Sequence, residues 1–561
     1  MGKKNYETWS KEELIREIEK LYKRKKYGIV WEDKPEAVAE LCKEKLPVLI
    51  EERSKEINTD KTKPTNILIE GDNYHALSVL NYTHKSQVDV IYIDPPYNTG
   101  SSVWRYNNDY VDAEDSWRHS KWLSFMEKRL KLAKNLLKYS GSIIIAIDSY
   151  ELFNLGALCD EIFGEENRLG TVAVVHKPEG RNQDKFFSTS HEYMLVYAKN
   201  KNKVNFKKAV IDENIKETFD REDGKGKFRL NNFLRSGGGD HNLRKNKPHF
   251  FYPIYVSKDL KKITLEEKKD FYKILPITKS GQERTWTTVE KTFLERLKNG
   301  EIIAEKDSEG EVHIYTKYRE EQLIKTHWID KRYNAINNGT NLLESILGSK
   351  LFDYPKSIYL VQDILKITSE ENSIILDYFA GSGTTGHAVL ELNKEDGGHR
   401  KFILCTNNEN KICEEVCYPR IKRVIQGYKN LKSEKVEGLV GNLKYFKTDF
   451  VDGEPTDRNK KKLVDKSTEM LCLKESCFDE VMVKKEFRIF KNDGKYLGIV
   501  YDDDGIAPFK KEVQKIGKKF IVYIFSLDES AREEEFEDMP GLVELKPIPA
   551  VILNVYTRIF K

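Results

Sequence analysis

The sequence predicts an α/β fold: a doubly wound sheet, broken by an insertion and followed by a further α/β segment. Three observations carry this. Short apolar runs alternate with amphipathic helical stretches from 67 to 199. The same alternation resumes at Ser373. Between them, residues 200–345 are rich in Lys, Asn, Gly and aromatics and keep no steady period. Strands separated by helices imply a parallel sheet covered on both faces.

Taken in order, residues 6–58 read as helical. Ser10 and Glu13 form a capping box, and Leu14, Ile18 and Leu21 follow at helical spacing. A polar stretch, Asn58–Pro64, ends this arm. Ile67–Glu70 is a short strand ending at Gly71-Asp72, with a helix opening at Asn73. Val88–Ile93 is a buried strand that runs into Asp94-Pro95-Pro96-Tyr97. Ser120–Leu137 is a long helix, and Ser142–Ile147 is a strand ending at Asp148, a residue expected to cap a helix. Val172–Val175 and Tyr193–Tyr197 are further strands. After the insertion come the strand Ser373–Asp377, the helix His387–Leu392 and the strand Phe402–Thr406. Strands at 487–491, 497–501 and 519–525 make up the last segment. The expected divisions are 1–60, 61–200, 201–345, 346–430 and 431–561.

Composition bounds the function. Of 561 residues, 39% are hydrophobic and 33% charged. No apolar run reaches the ~18 residues of a membrane helix, and the polar start Met1–Tyr6 argues against secretion. The net charge is only +4, so distribution matters more than sum. Basic residues gather at Arg129–Lys138, Arg235–Lys247 and Lys460–Lys462, and acidic ones at Glu533–Asp538. Seven scattered cysteines, without histidines at zinc spacing, fit a reducing cytoplasm and no metal site.

Two motifs carry chemistry. Asp94-Pro95-Pro96-Tyr97 follows a buried strand, where open parallel sheets place ligands. Its prolines stiffen the loop and remove backbone donors, which leaves carbonyls, a carboxylate and a flat ring. That set fits an aromatic amine. The N6 lone pair of adenine is delocalised into the ring. Acceptance of its two hydrogens by Asp94 and the Pro95 carbonyl would turn that lone pair toward a methyl donor, with Tyr97 stacked on the extruded base. The second motif, Asp377-Tyr378-Phe379-Ala380-Gly381-Ser382-Gly383-Thr384-Thr385-Gly386, links a strand to a helix. Gly381 and Gly383 permit close approach of a ligand. With no P-loop lysine the turn suits a ligand without phosphate, and Asp377 suits a methionine ammonium.

Together the motifs resemble the amino-methyltransferases of DNA. The Asp-Pro-Pro-Tyr motif precedes the cofactor motif, which is the permuted β-class order. Within that class the chain resembles the Mod subunit of type III restriction–modification systems over most of residues 65–480. The likeness includes Asn98-Thr99-Gly100, Arg118–Leu123, Ser190-His191-Glu192-Tyr193, Phe352-Asp353-Tyr354-Pro355-Lys356-Ser357 and Asn407–Asn410. It implies a Rossmann-like, S-adenosylmethionine-dependent methyltransferase fold acting on adenine N6 in double-stranded DNA, a target-recognition domain at 201–345 and a cytoplasmic location. The catalytic half would be 61–200 and the cofactor half 346–430. The implied site comprises Asp94, Pro95, Pro96 and Tyr97 for catalysis. The implied cofactor set is Asp377, Phe379, Gly381, Gly383, Thr384, Asp72, Lys356, Ser357 and Trp122. A homodimer and a restriction helicase–nuclease subunit are the implied protein partners. The chain is somewhat short for such a subunit, which also fits a solitary methyltransferase. Many relatives carry an acidic residue near 406, where this chain has Thr406 with Glu409 three residues on.

Several residues admit two readings. Asp72 is a cofactor contact or a helix N-cap. Trp122 and His119 contact the cofactor or pack under a helix. Phe187, beside Phe186, packs on the flipped base or lies in a core. Arg235, Arg244 and Lys245, in a flexible basic loop, contact DNA phosphates in preference to base edges. Asn337-Asn338-Gly339-Thr340 is another candidate DNA-facing turn. Cytosine-N4 methylation, RNA methylation and a recognition subunit without turnover are the competing functions.

Overall fold

The computed structural model describes residues 9–22, 31–100, 105–106, 109–111, 114–180, 186–208, 217–235, 237, 239–319, 324–492 and 494–560. The chain divides into two compact units. One joins Met1–Lys207 to Lys325–Lys561, and the other is Lys208–Ile324.

The larger unit is built on a mixed sheet. Its main strands are β1 (Lys45–Glu51), β2 (Thr65–Glu70), β3 (Val88–Ile93), β4 (Leu137–Ile147), β5 (Arg168–Val175), β6 (His191–Ala198), β7 (His327–Trp328), β8 (Ile374–Asp377), β9 (Lys401–Thr406) and β10 (Asn442–Asp452). They lie in the order β1-β10-β2-β9-β8-β3-β4-β6-β5-β7. The six from β10 to β4 are parallel. Their residues are apolar on both faces: Val90, Ile91 and Ile93, and Ile143 through Ile147, are fully buried. Such runs belong to a sheet covered by helices on each side.

The expected parallel sheet needs correction at its margins. β6 runs antiparallel to β4 and to β5, and β1 runs antiparallel to β10. The helical reading of 6–58 also needs correction. The capping box forms, with Glu13 accepting from the Ser10 amide and hydroxyl, and helix α1 spans Lys11–Tyr22. Residues 45–51, however, are a strand whose Val48 and Leu49 are fully buried. Pro47, which lacks an amide donor, is tolerated there because the strand is at the sheet's edge.

The helices that matter to the site are α2 (Asn73–Thr83), α3 (Arg118–Leu136), α4 (Leu152–Phe163), α5 (Ile358–Thr368), α6 (Thr384–Asp396) and α7 (Tyr418–Gln426). Asp148 accepts from the Tyr150 amide at 2.9 Å and so caps a turn; the N-cap position of α4 belongs to Glu151. The C-terminal segment adds a five-stranded sheet over 479–548. Its Phe490, Leu497 and Tyr523, and Ile552 of the last helix, share one continuous core with Leu77 and Leu80 of α2. All seven cysteines are buried and none is in a disulfide.

The smaller unit has its own core. Phe233, Tyr252, Ile254, Trp286, Phe293 and Ile314 pack together between a four-stranded and a three-stranded antiparallel sheet, and Phe233 stacks on Trp286 at 5.5 Å. This unit begins and ends inside the expected 201–345. Residues 325–345 build onto the larger unit, where His327–Trp328 pairs with β5.

Candidate active site

β3 and β8 are adjacent and parallel, with Val90 opposite Ile375 and Ile91 opposite Leu376. Asp94 and Asp377 therefore leave the sheet side by side, at the ends where parallel strands present ligand-binding loops. Proximity is felt electrostatically: the Asp94 charge helps raise the Asp377 pKa.

The Asp94–Tyr97 loop is held from both sides. The Trp122 indole, fully buried, donates to the Pro96 carbonyl at 2.7 Å. Of the two readings of Trp122, the structure shows it packed under α3, where its indole clamps the two-proline loop. Asn98 turns the chain with φ of 55° and donates to Glu151 at 2.5 Å. His119 shares that carboxylate oxygen at 2.6 Å, and Asn154 takes the other at 2.7 Å. Glu151 is thus the post to which the loop is tied. An acidic residue just before a helix gave no sequence signal of this.

Asp94 keeps 27% of its side chain exposed. Its carboxylate lies 3.1 Å from Lys356 Nζ. Lys356 also reaches Glu192 Oε2 at 2.9 Å and the Tyr97 hydroxyl at 2.5 Å. Tyr97 donates to the same Glu192 oxygen at 3.0 Å. Burial raises the Asp94 pKa, and the Lys356 charge works against that rise. Burial works against the Lys356 charge, but its two carboxylate neighbours outweigh it and hold the ammonium above its ordinary range. Placed on the cofactor side by resemblance, Lys356 has its ammonium in the Asp94 pocket. Glu192 was not among the expected site residues, although the Ser190-His191-Glu192-Tyr193 stretch that holds it is part of the family resemblance.

On the other tip, Asp377 is 3% exposed. It accepts from the Phe379 amide at 3.0 Å and the Thr385 hydroxyl at 2.5 Å. Burial raises its pKa to about 7 despite these bonds, and among the described residues no cation pairs with it. Gly381 and Gly383 have φ of 49° and 79°. A Cβ on Gly383 would lie 3.1 Å from Cys417 Sγ, and one on Gly381 3.3 Å from the Phe352 ring. Phe379 packs on Phe125, ring centres 5.9 Å apart. Arg420 of α7, fully buried, donates to Ser382 Oγ at 3.1 Å and Thr384 Oγ1 at 2.8 Å and so fixes the turn. Its burial pulls its pKa down to about 10. An arginine on the same helical face as Ile421 and Val424 was the missed clue.

Asp72 is the N-cap of α2 and accepts from the Tyr74 amide at 2.7 Å. It also faces Arg129 at 3.4 Å. Arg129 lies fully buried between Asp72, Glu36 and the Asn73 side chain. The run Arg129–Lys138 is therefore no free basic face: Lys138 pairs with Asp89 at 2.7 Å, and Lys131 with Glu127 at 2.5 Å. Ser357 is buried, and its hydroxyl donates to the Arg332 carbonyl at 2.7 Å. Phe187 is 89% exposed, which removes the core-aromatic reading.

In the smaller unit, Arg235 donates to the Thr287 carbonyl at 2.9 Å, Arg244 pairs with Glu283 at 2.8 Å and Lys245 with Asp240 at 3.4 Å. Ser236 and Gly238 of that loop lie outside the described residues. The Asn337–Thr340 turn belongs to the larger unit. Gly339 is buried there, and a Cβ on it would lie 2.2 Å from the Pro355 carbonyl. The turn is a seat for the Pro355-Lys356 backbone.

Among proteins of known activity, the chain is 33% identical over 382 residues to the type II methyltransferase M.KpnI of Klebsiella pneumoniae, covering 68% of this chain and 90% of that protein. It is 33% identical over 432 residues to the type III restriction–modification enzyme EcoPI Mod subunit of Escherichia phage P1, and spans 66% of that protein's length. Of solved structures, the cytosine-N4-specific PvuII DNA methyltransferase aligns at 12% identity with a TM-score of 0.33 over 64% of this chain and 87% of that one. A family model described as DNA methylase matches residues 88–416, from the strand that delivers Asp94, through the glycine turn and β9, to just before α7. The chain belongs to the DNA methylase family.

Proposed function

We propose that this DNA methylase methylates N6 of an adenine flipped out of a specific duplex DNA site. The observation that carries the reading is the pairing of β3 with β8, which sets Asp94 beside the glycine turn. S-adenosylmethionine supplies the electrophilic methyl group. The residues present fit it: Asp377 is a buried carboxylate without a cation, suited to an ammonium, beside two positive-φ glycines that admit a close ligand. Phe379 and Thr384 complete that turn.

At the neighbouring tip, Asp94 and the Pro95 carbonyl accept the two N6 hydrogens. This draws the nitrogen lone pair out of conjugation and aims it at the methyl. Tyr97 stacks on the base, and Phe187 covers it from outside. Catalysis is positioning and oriented charge. Target recognition falls to the unit Lys208–Ile324, where Arg235, Arg244 and Lys245 meet phosphates. The surface ion pairs of Arg244 and Lys245 are weak enough, at ~0–1 kcal/mol each, to be exchanged for DNA. By likeness to the EcoPI Mod subunit, a restriction subunit is the proposed protein partner, and a homodimer the proposed assembly. Among the described residues no helix is long and apolar enough to cross a membrane.

The test is the product. DNA methylated by the purified protein is hydrolysed to nucleosides and separated, with N6-methyladenine expected. N4-methylcytosine, or methylated RNA in preference to duplex DNA, would overturn the reading.

A further inference from the structure

The Lys356 ammonium has three hydrogens and three oxygen neighbours: Asp94 Oδ1 at 3.1 Å, Glu192 Oε2 at 2.9 Å and the Tyr97 hydroxyl at 2.5 Å. A lysine so saturated has no rotational freedom left. Its backbone is equally constrained. Gly339 leaves no room for a Cβ beneath the Pro355 carbonyl, and the next residue, Ser357, is tied to the Arg332 carbonyl at 2.7 Å. The lysine, the glutamate and the tyrosine come from three separate stretches of chain, and the ammonium and Glu192 side chains are only 13% and 6% exposed. The fold has assembled a buried ionic cluster around one catalytic oxygen.

We propose that Lys356, clamped by Glu192, is a positioning residue for methyl transfer: it grips Asp94 by one carboxylate oxygen and leaves the rest of that carboxylate turned toward the target amine. This rests on the adenine-methylating role proposed for Asp94. Two consequences follow from the charges. Asp94 must be ionised to accept an N6 hydrogen, and burial works against ionisation, so a fixed cation at 3.1 Å offsets part of that burial and favours the form the reaction needs. A cation paired with Asp94 alone would neutralise it and weaken it as an acceptor. Glu192 takes a share of the same ammonium and draws it aside, so that two carboxylates divide one positive charge. Tyr97 is drawn in as well: its hydroxyl is fixed by Lys356 and Glu192, and the ammonium stands 4.8 Å from its ring centre. The plane on which the base stacks is thereby set by the same pair. Neither residue touches the base or the transferring methyl.

Lys356→Met, Lys356→Arg, Glu192→Gln and the Lys356→Met/Glu192→Gln double variant of the full chain test this. Methyl transfer to duplex DNA is measured at saturating S-adenosylmethionine, beside calorimetric binding of S-adenosylmethionine to each protein. Lys356→Met is expected to lower kcat by about 100-fold or more, the scale of losing one preorganised charge, with cofactor affinity within about threefold of wild type. Lys356→Arg is expected to recover part of kcat. The double variant is expected to be no slower than the worse single one, because the two residues act as a unit. Unchanged kcat in Lys356→Met overturns the proposal. So does a raised KM for S-adenosylmethionine with kcat intact, which would make Lys356 a cofactor contact, and so do fully additive losses. A wild-type protein that binds S-adenosylmethionine and methylates no DNA would instead refute the function proposed for Asp94.

Discussion

Asp94 and Asp377 end neighbouring strands, but their surroundings give them different work. Asp94 is partly open and has a cation beside it. Removing its carboxylate by Asp94→Ala should lower turnover by about 10²–10³-fold or more while cofactor binding persists; a tritiated-methyl transfer assay with near wild-type rates would contradict this. Asp377 is closed in and, among the described residues, has no cation beside it, so burial lifts it to about 7. Unfolded, it would titrate near the usual ~3.9. Between those values the unfolded chain has lost the proton and the folded one has kept it. In the free protein this group therefore costs stability as pH rises from about 4 to about 7. A cationic ligand pairs only with the ionised form, so S-adenosylmethionine should bind more than about tenfold more tightly near pH 7.5 than near pH 5.5. Asp377→Asn should flatten that dependence, and calorimetry showing equal affinity at both pH values would separate the ligand from Asp377. Both aspartates were legible in the sequence, because each follows an apolar run with turn chemistry behind it. Glu151 and Arg420 were not, and Glu192 was legible only as a member of a family-like stretch without a role. Each is an ordinary charge in its own segment and acquires a role only when residues 53, 164 or 36 positions away fold onto it.

At the scale of elements, two turns do most of the positioning, and glycine decides both. Between β8 and α6, Gly383 has φ of 79° and Cys417 behind it. Gly383→Asp should therefore distort the cradle and cost cofactor affinity, with calorimetric affinity equal to wild type as the contrary result. This turn was readable, since a Gly-x-Gly between strand and helix has a known mechanical reason. Gly339 was misread. Its Asn-Asn-Gly-Thr setting looks like an exposed turn, yet Asn334 caps the turn, Asn338 donates to the Arg332 carbonyl at 2.8 Å, and Gly339 faces the Pro355 carbonyl. Turn propensity is local, whereas the packing that buries this turn comes from a segment sixteen residues downstream. Gly339→Ala should push the Pro355-Lys356 backbone outward and lower kcat by about tenfold or more with a measurable fall in Tm. A variant with wild-type kcat would show that the seat is not needed.

At the scale of the whole molecule, the sheet joins chain segments that the insertion separates. β8 and β9 lie between β2 and β3, although the Lys208–Ile324 unit intervenes in sequence. The two motifs meet only because the inserted unit leaves and rejoins the chain without contributing a strand to this sheet. Alternation of apolar runs made the sheet legible; the reversed direction of β1 and β6 was not, since period alone does not report direction. The insertion's limits were blurred at 325–345, because the strand His327–Trp328 is too short to show a period, and it declares itself only by pairing with β5. The smaller unit carries its own core of Phe233, Trp286 and Phe293, and the larger unit's core has no member between 208 and 324. Joining Lys207 to Lys325 through a short Gly/Ser linker should therefore leave a folded protein that still binds S-adenosylmethionine within a few-fold of wild type. Site-specific methylation of duplex DNA should be lost, because the segment proposed to read the target is gone. Cooperative thermal unfolding and calorimetry report the first half, and methylation mapping of plasmid DNA the second. A shortened protein that still methylates the same sites would move target recognition into the catalytic unit. One that no longer binds the cofactor would mean that the sheet does not close without the insertion, despite its separate core.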